Sequence, residues 1–144
     1  HKIKNLAQKD IDLDKNISIF GYDISFQNIT LAISSTKSID LTNKIKFKKQ
    51  DIKQFSSDKA SGTIILNPPY GKRLGYSEDE LKKLYSTIGD VFKKQCVGFD
   101  AFVFTGNLQM AKHIGLRAKE RIILKNGNLD CRLLHYPIAE GKYS

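Results

Sequence analysis

Asn67-Pro68-Pro69-Tyr70 follows the apolar run Thr63-Ile64-Ile65-Leu66 and sets a rigid polar tetrapeptide at the end of what reads as a buried strand. Two consecutive prolines fix φ twice and supply no N–H, so the Pro68 carbonyl is left to point at a ligand rather than at the chain. Asn67 adds a neutral side-chain acceptor. Such a pair suits a substrate –NH2, because two acceptors hold its two protons while the nitrogen lone pair turns toward an electrophile. Tyr70 offers an aromatic face on which a flat base or amide can lie. A Pro-Pro turn that merely ends a strand is the plainer reading, and Asn before it with Tyr after it favours chemistry.

The elements around this segment alternate. Ile17 to Tyr22 reads as a strand stopping at Asp23, followed by a helix from Ser25 or Phe26 to about Ser35 with Phe26, Ile29, Ala32 and Ile33 inward. Ile45 and Phe47 mark a second strand closing at Asp51, and residues 63–66 a third. Strand, helix, strand, loop, strand fits a parallel sheet with crossovers. Ser77 and Glu80 form a capping box for the clearest helix, which carries Leu81, Leu84, Tyr85, Ile88, Val91 and Phe92 and breaks at Gly98. Asp100 to Phe104 reads as a buried strand, a short helix runs through Met110 to His113, and two strands around an Asn126-Gly127 turn close the sheet in a hairpin. Residues 1 to about 9 have the composition of a helix end.

Ligands of open α/β sheets sit outside the carboxyl ends of the strands, and here three strands end on Asp23, Asp51 and Asn67. One crevice could use all three. An acidic residue at a strand end can bind both hydroxyls of a ribose, which makes Asp23 the candidate for a cofactor ribose and Asp51 an acceptor for the exocyclic amine of its adenine. Each Asp alone reads equally well as a turn or helix-cap residue.

Composition narrows the class. The chain has 144 residues, 40% of them hydrophobic, which suits one domain or part of one and excludes global disorder. No apolar run reaches the roughly 18 residues of a membrane span and no signal-peptide pattern is present, so a cytoplasmic protein with no membrane partner is expected. Cys96 and Cys131 are in no C-x-x-C pairing and read as small buried hydrophobes, giving neither a metal site nor a disulfide framework. His113 and His135 read as structural. A net charge of +9, from 24 basic and 15 acidic residues, favours a polyanionic partner.

Asn-Pro-Pro-Tyr resembles the catalytic tetrapeptide of S-adenosylmethionine-dependent amino methyltransferases. With Phe20-Gly21-Tyr22-Asp23-Ile24, the extension Gly71-Lys72-Arg73-Leu74 and the hairpin Leu124-Lys125-Asn126-Gly127-Asn128-Leu129-Asp130-Cys131, nearly the whole chain resembles the guanine-N2 methyltransferases of large-subunit ribosomal RNA, a THUMP-associated family. The resemblance implies a class I, Rossmann-like α/β methyltransferase domain over residues 1–144, a mostly parallel sheet ending in an antiparallel hairpin. Asn67, Pro68, Pro69 and Tyr70 would be catalytic, and Asp23, Ile24, Asp51 and Asn67 would hold S-adenosylmethionine. Lys72 and Arg73 would hold phosphates of the ribosomal RNA, and no metal is called for. No glycine-rich loop follows a strand before Asp23, so the chain matches a partial domain without the first cofactor strand, expected to be inactive alone. Protein glutamine or DNA adenine methylation, and a non-catalytic RNA-binding module, are the competing readings.

Overall fold

The computed structural model describes residues 17–39, 41–70 and 75–141, so the helix end read into residues 1–9 lies outside the described residues. The chain divides into two compact units, residues 1–50 and 51–144.

In the first unit, β1 (Ile19–Asp23) and β2 (Ile45–Lys49) are parallel neighbours joined through α1 (Phe26–Lys37). Ser25 caps the helix by accepting the Asn28 N–H at 3.4 Å, as its type and place predict. The buried arc of α1 centres on Ile29 and Thr36, with Ala32 and Ile33 half-buried beside them. Phe26 was expected inside and is instead 68% exposed. At 100° per residue it stands about 70° off the Ile29–Thr36 line, on the shoulder of the buried face.

The second unit is built on α2 (Glu78–Gln95), whose capping box is complete. The Ser77 hydroxyl accepts the Glu80 N–H, and the Glu80 carboxylate accepts the Ser77 N–H at 2.8 Å, which holds that carboxyl below its ordinary range. Leu81, Tyr85, Ile88, Val91 and Phe92 form one buried face of this helix. That face belongs to a core with Ala101 and Val103 of β4 (Phe99–Thr105) and Leu134 and Tyr136 of β6 (Leu129–Pro137). Gly89 lies so close to the turn at Lys112–Ile114 that a Cβ there would fall 1.8 Å from the Ile114 carbonyl oxygen.

The sheet order is β3 (Gly62–Leu66), β4, β6, β5 (Glu120–Asn126). β3 and β4 are parallel, with Leu66 opposite Val103; β6 is antiparallel to both its neighbours. The expected α/β architecture with a terminal hairpin is therefore present, and its closing turn is Gly127-Asn128, because Asn126 pairs with Leu129. β3 departs from the buried strand expected: Ile64 and Leu66 face inward, while Ile65, on the opposite face, is 72% exposed. Cys96 and Cys131 are buried free thiols, and burial pushes the Cys96 thiol up to about 11. No described helix is long and apolar enough to cross a membrane.

Candidate active site

β3 delivers the chain to Leu66, its last paired residue, and the two prolines prevent the ladder from continuing. Asn67 is exposed, Pro68 is buried, and Pro69 and Tyr70 are half-buried. Among the described residues, neither the Asn67 side chain nor the Pro68 carbonyl is engaged in a hydrogen bond. Two neutral acceptors on adjacent residues at the strand's carboxyl end are thus engaged by no described residue.

Tyr70 is held at both ends. Its carbonyl accepts the Asn107 side-chain amide at 3.3 Å, and its hydroxyl accepts the Asn126 amide at 2.9 Å with the Cys131 thiol 4.0 Å away. The ring meets Phe104 edge-on, with centroids 6.4 Å apart at 86°. A Cβ on Gly106 would fall 3.0 Å from the Tyr70 ring and 2.7 Å from a Leu129 methyl, so the bare Cα is what lets the ring lie there.

This seat is wired to the core. Asn107 caps α3 (Leu108–Ala111) by accepting the Met110 N–H at 3.1 Å, and its own N–H donates to the Thr105 hydroxyl at 3.0 Å. Thr105 Oγ1 is in turn 2.8 Å from the phenol oxygen of Tyr85, and both side chains are fully buried. Burial pushes the Tyr85 phenol above its ordinary value; the Thr105 hydrogen bond opposes the shift, and the charge of an ionised Tyr70 would add to it.

Both aspartates perform the local work that their types allow. Asp23 accepts the Ser25 N–H at 2.7 Å and the Asn28 amide at 3.2 Å, and Asp51 accepts the Lys53 N–H at 2.9 Å as the cap of the turn at Ile52–Gln54. A carboxylate offers about four lone-pair sites, so these bonds leave each of them acceptor capacity. Asp23 and the exposed Ile24 belong to the first unit, and Asp51 and Asn67–Tyr70 to the second. Lys72 and Arg73 lie outside the described residues.

In the first unit, Phe20 and Tyr22 of β1 pair with Lys46 and Lys48 of β2 and so share one face with them. The two rings are near-parallel with centroids 6.4 Å apart, and the Lys46 ammonium is 5.9 Å from the Phe20 centroid. Sequence reasoning missed this strip, as it missed Asn107 and Asn126 as partners of Tyr70. It also left the surroundings of His135 unread: its Nε2 is 2.6 Å from Asp100 Oδ1 and its ring stacks on Phe102 at 4.4 Å. Among the described residues no cluster of three or more His, Cys, Asp or Glu side chains is placed to hold a metal ion.

A parallel α/β sheet with an antiparallel hairpin, and Asn-Pro-Pro-Tyr leaving a strand's carboxyl end, define the class I methyltransferase fold. The model of the RMKL-like methyltransferase domain matches residues 1–135, and the chain belongs to that family. It is 34% identical over 140 residues to the ribosomal RNA large subunit methyltransferase K/L of Syntrophotalea carbinolica, covering 94% of this chain and 20% of that protein. The enzyme of the same name from Allochromatium vinosum is 36% identical over 123 residues, covering 84% of this chain and 17% of that one. The crystal structure of SMU.472 complexed with SAH superimposes with a TM-score of 0.86 at 26% identity, over 98% of this chain and 37% of that chain. The chain thus spans about a fifth of the length of these curated relatives.

Proposed function

We propose that this chain is part of the catalytic domain of a methyltransferase that uses S-adenosylmethionine to methylate the exocyclic N2 of a guanine in large-subunit ribosomal RNA. The observation that carries this reading is a pair of acceptors engaged by no described residue, Asn67 Oδ1 and the Pro68 carbonyl, beside a Tyr70 held at its carbonyl and its hydroxyl. When bound, the cofactor supplies a methyl group on a positively charged sulfur. The neutral acceptors and the residual capacity of the Asp23 and Asp51 carboxylates suit a ribose, an adenine amine and a cationic centre.

The chain's part in the reaction is positioning. Asn67 and Pro68 hold the two protons of the guanine amine, which favours a pyramidal nitrogen and draws its lone pair out of the ring toward the methyl carbon. That interaction is stronger in the transition state than in the ground state. The cofactor would supply the methyl group at the expense of its own methyl–sulfur bond, and the extra proton would leave the product nitrogen for solvent. Holding the reactants in line is worth roughly 7 to 11 kcal/mol in well-oriented systems. A base inside a helix cannot reach the acceptors, so the guanine is unpaired or flipped out and stacks on Tyr70. The basic balance of the chain and the lysine–aromatic strip on β1–β2 support RNA over a protein substrate. Lys72 and Arg73 would hold flanking phosphates, and the cytoplasm is the compartment that goes with a ribosomal substrate. The isolated 144-residue chain, with no glycine-rich cofactor loop before Asp23, should transfer no methyl groups by itself.

The test offers labelled S-adenosylmethionine and the full-length protein to unmodified ribosomal RNA, duplex DNA and a release factor in parallel. Label that digests to N2-methylguanosine is the expected result. Label in DNA or protein would transfer the reading to adenine or glutamine, and binding of RNA without label would make this a non-catalytic module.

A further inference from the structure

We propose that the β5–β6 hairpin is a positioning element of the site, with Asn126 acting through the Tyr70 hydroxyl; this rests on the reading of Tyr70 as the platform for the target base. A tyrosine used for stacking must hold its ring in one place. The backbone end of Tyr70 is fixed by Asn107, but the far end of the ring is fixed from the hairpin, 56 residues further along the chain. There the Asn126 amide donates to the hydroxyl at 2.9 Å and the buried Cys131 thiol lies against the same oxygen.

Core packing does not explain this end of the hairpin. β5 is exposed along its whole length, and Asn126 and Leu129, which face each other across the turn, are both exposed. What the tip does touch is the motif: Asn126 reaches the Tyr70 hydroxyl, and Leu129 sits over Gly106 beside the Tyr70 ring. The hydrogen bond leaves the ring faces untouched, because it lies at the hydroxyl. Because the hydroxyl lies on the ring's rotation axis, the hairpin can fix the direction in which the ring points without the bond itself covering a ring face.

A double-mutant cycle on methyl transfer to ribosomal RNA by the full-length protein tests the assignment, using wild type, Asn126→Ala, Tyr70→Phe and the pair. Each single change should lower kcat/KM for RNA by roughly 3- to 10-fold with KM for S-adenosylmethionine unchanged. The pair should be no worse than the worse single variant, since both remove one bond. Asn126→Asp, whose carboxylate can accept the phenol proton, should restore most of the loss. Multiplying losses in the pair, or an Asn126→Ala protein equal to wild type, would overturn the proposal. A second readout needs no turnover: the Tyr70 ring-carbon resonance, assigned by its disappearance in Tyr70→Phe, should move in Asn126→Ala while the thermal midpoint stays put. An unmoved resonance sinks the hairpin's role, whereas a moved resonance in a protein that methylates no RNA sinks only the functional reading.

Discussion

The two ends of Asn67–Tyr70 are built on opposite terms. At the first, an exposed amide and a proline carbonyl take no hydrogen bond from any described residue; at the second, Tyr70 is bonded through its carbonyl and its hydroxyl and braced by Phe104. A site that must capture a mobile amine needs vacant acceptors, and a site that must align a flat base needs a surface that does not reorient. Four successive residues meet both needs because the prolines separate them: they leave the Pro68 carbonyl between them outside the ladder and fix the direction in which Tyr70 departs.

The contrast can be broken most forcefully at its vacant end. Asn67→Ala in the full-length protein should lower kcat by about 10²–10³, the scale seen when one preorganised polar group is removed from a transition-state site. Because the Asn67 side chain is exposed and makes no hydrogen bond to a described residue, the melting temperature should not change, and unchanged turnover would remove the central claim. Tyr70→Ala should cost about 1 to 3 kcal/mol of stacking, read mainly as a raised KM for RNA. Equal losses of RNA and cofactor affinity would argue that the ring holds the fold and not the base.

Gly106→Ala probes the braced end from behind. Its methyl group would meet the exposed Leu129 side chain, which can turn away, and the Tyr70 ring at 3.0 Å, which is held at its hydroxyl and must shift by a few tenths of an ångström. A raised KM for RNA with little loss of stability is therefore expected. A variant with wild-type KM would show that the seat is loose. The smallest effect is expected from alkaline pH. Burial pushes the Tyr136 phenol up to about 12 from 10.0, and the Cys96 thiol to about 11 from 9.0. With folded values raised, the unfolded chain loses protons first. Stability is therefore full below about pH 9 and declines from there toward pH 12. Tyr136→Phe should flatten the fall in melting temperature above pH 10, and an identical slope would show that this phenol is not kept neutral by the fold.

Local signals carried most of the fold. The Ser77–Glu80 box and the apolar repeat from Leu81 to Phe92 place α2 because capping and periodicity are properties of neighbouring residues. The hairpin was readable from Asn-Gly, although pairing of Asn126 with Leu129 moves the turn one residue along. Phe26 and Ile65 were misplaced because hydrophobicity says that a residue can be buried, not that anything covers it. Asn67 to Tyr70 announced themselves by type and order. Their supports did not: Asn107, Asn126 and Cys131 reach Tyr70 across 37, 56 and 61 residues, and each reads locally as a cap, a turn or a core residue. The same distance hid the pairing of His135 with Asp100.

Gly89 pressed against the Ile114 carbonyl joins α2 to the turn that follows α3 without a side chain between them. Such backbone-to-backbone proximity leaves no slack for one segment to open while the other stays closed. Tyr85, one helical turn before Gly89, extends the linkage to Thr105 and from there to Asn107. The amides of α2 and of residues 107–114 should therefore exchange with deuterium as a single cooperative block, and the loop presenting Tyr70 should inherit the slow clock of the core rather than the fast one of the surface.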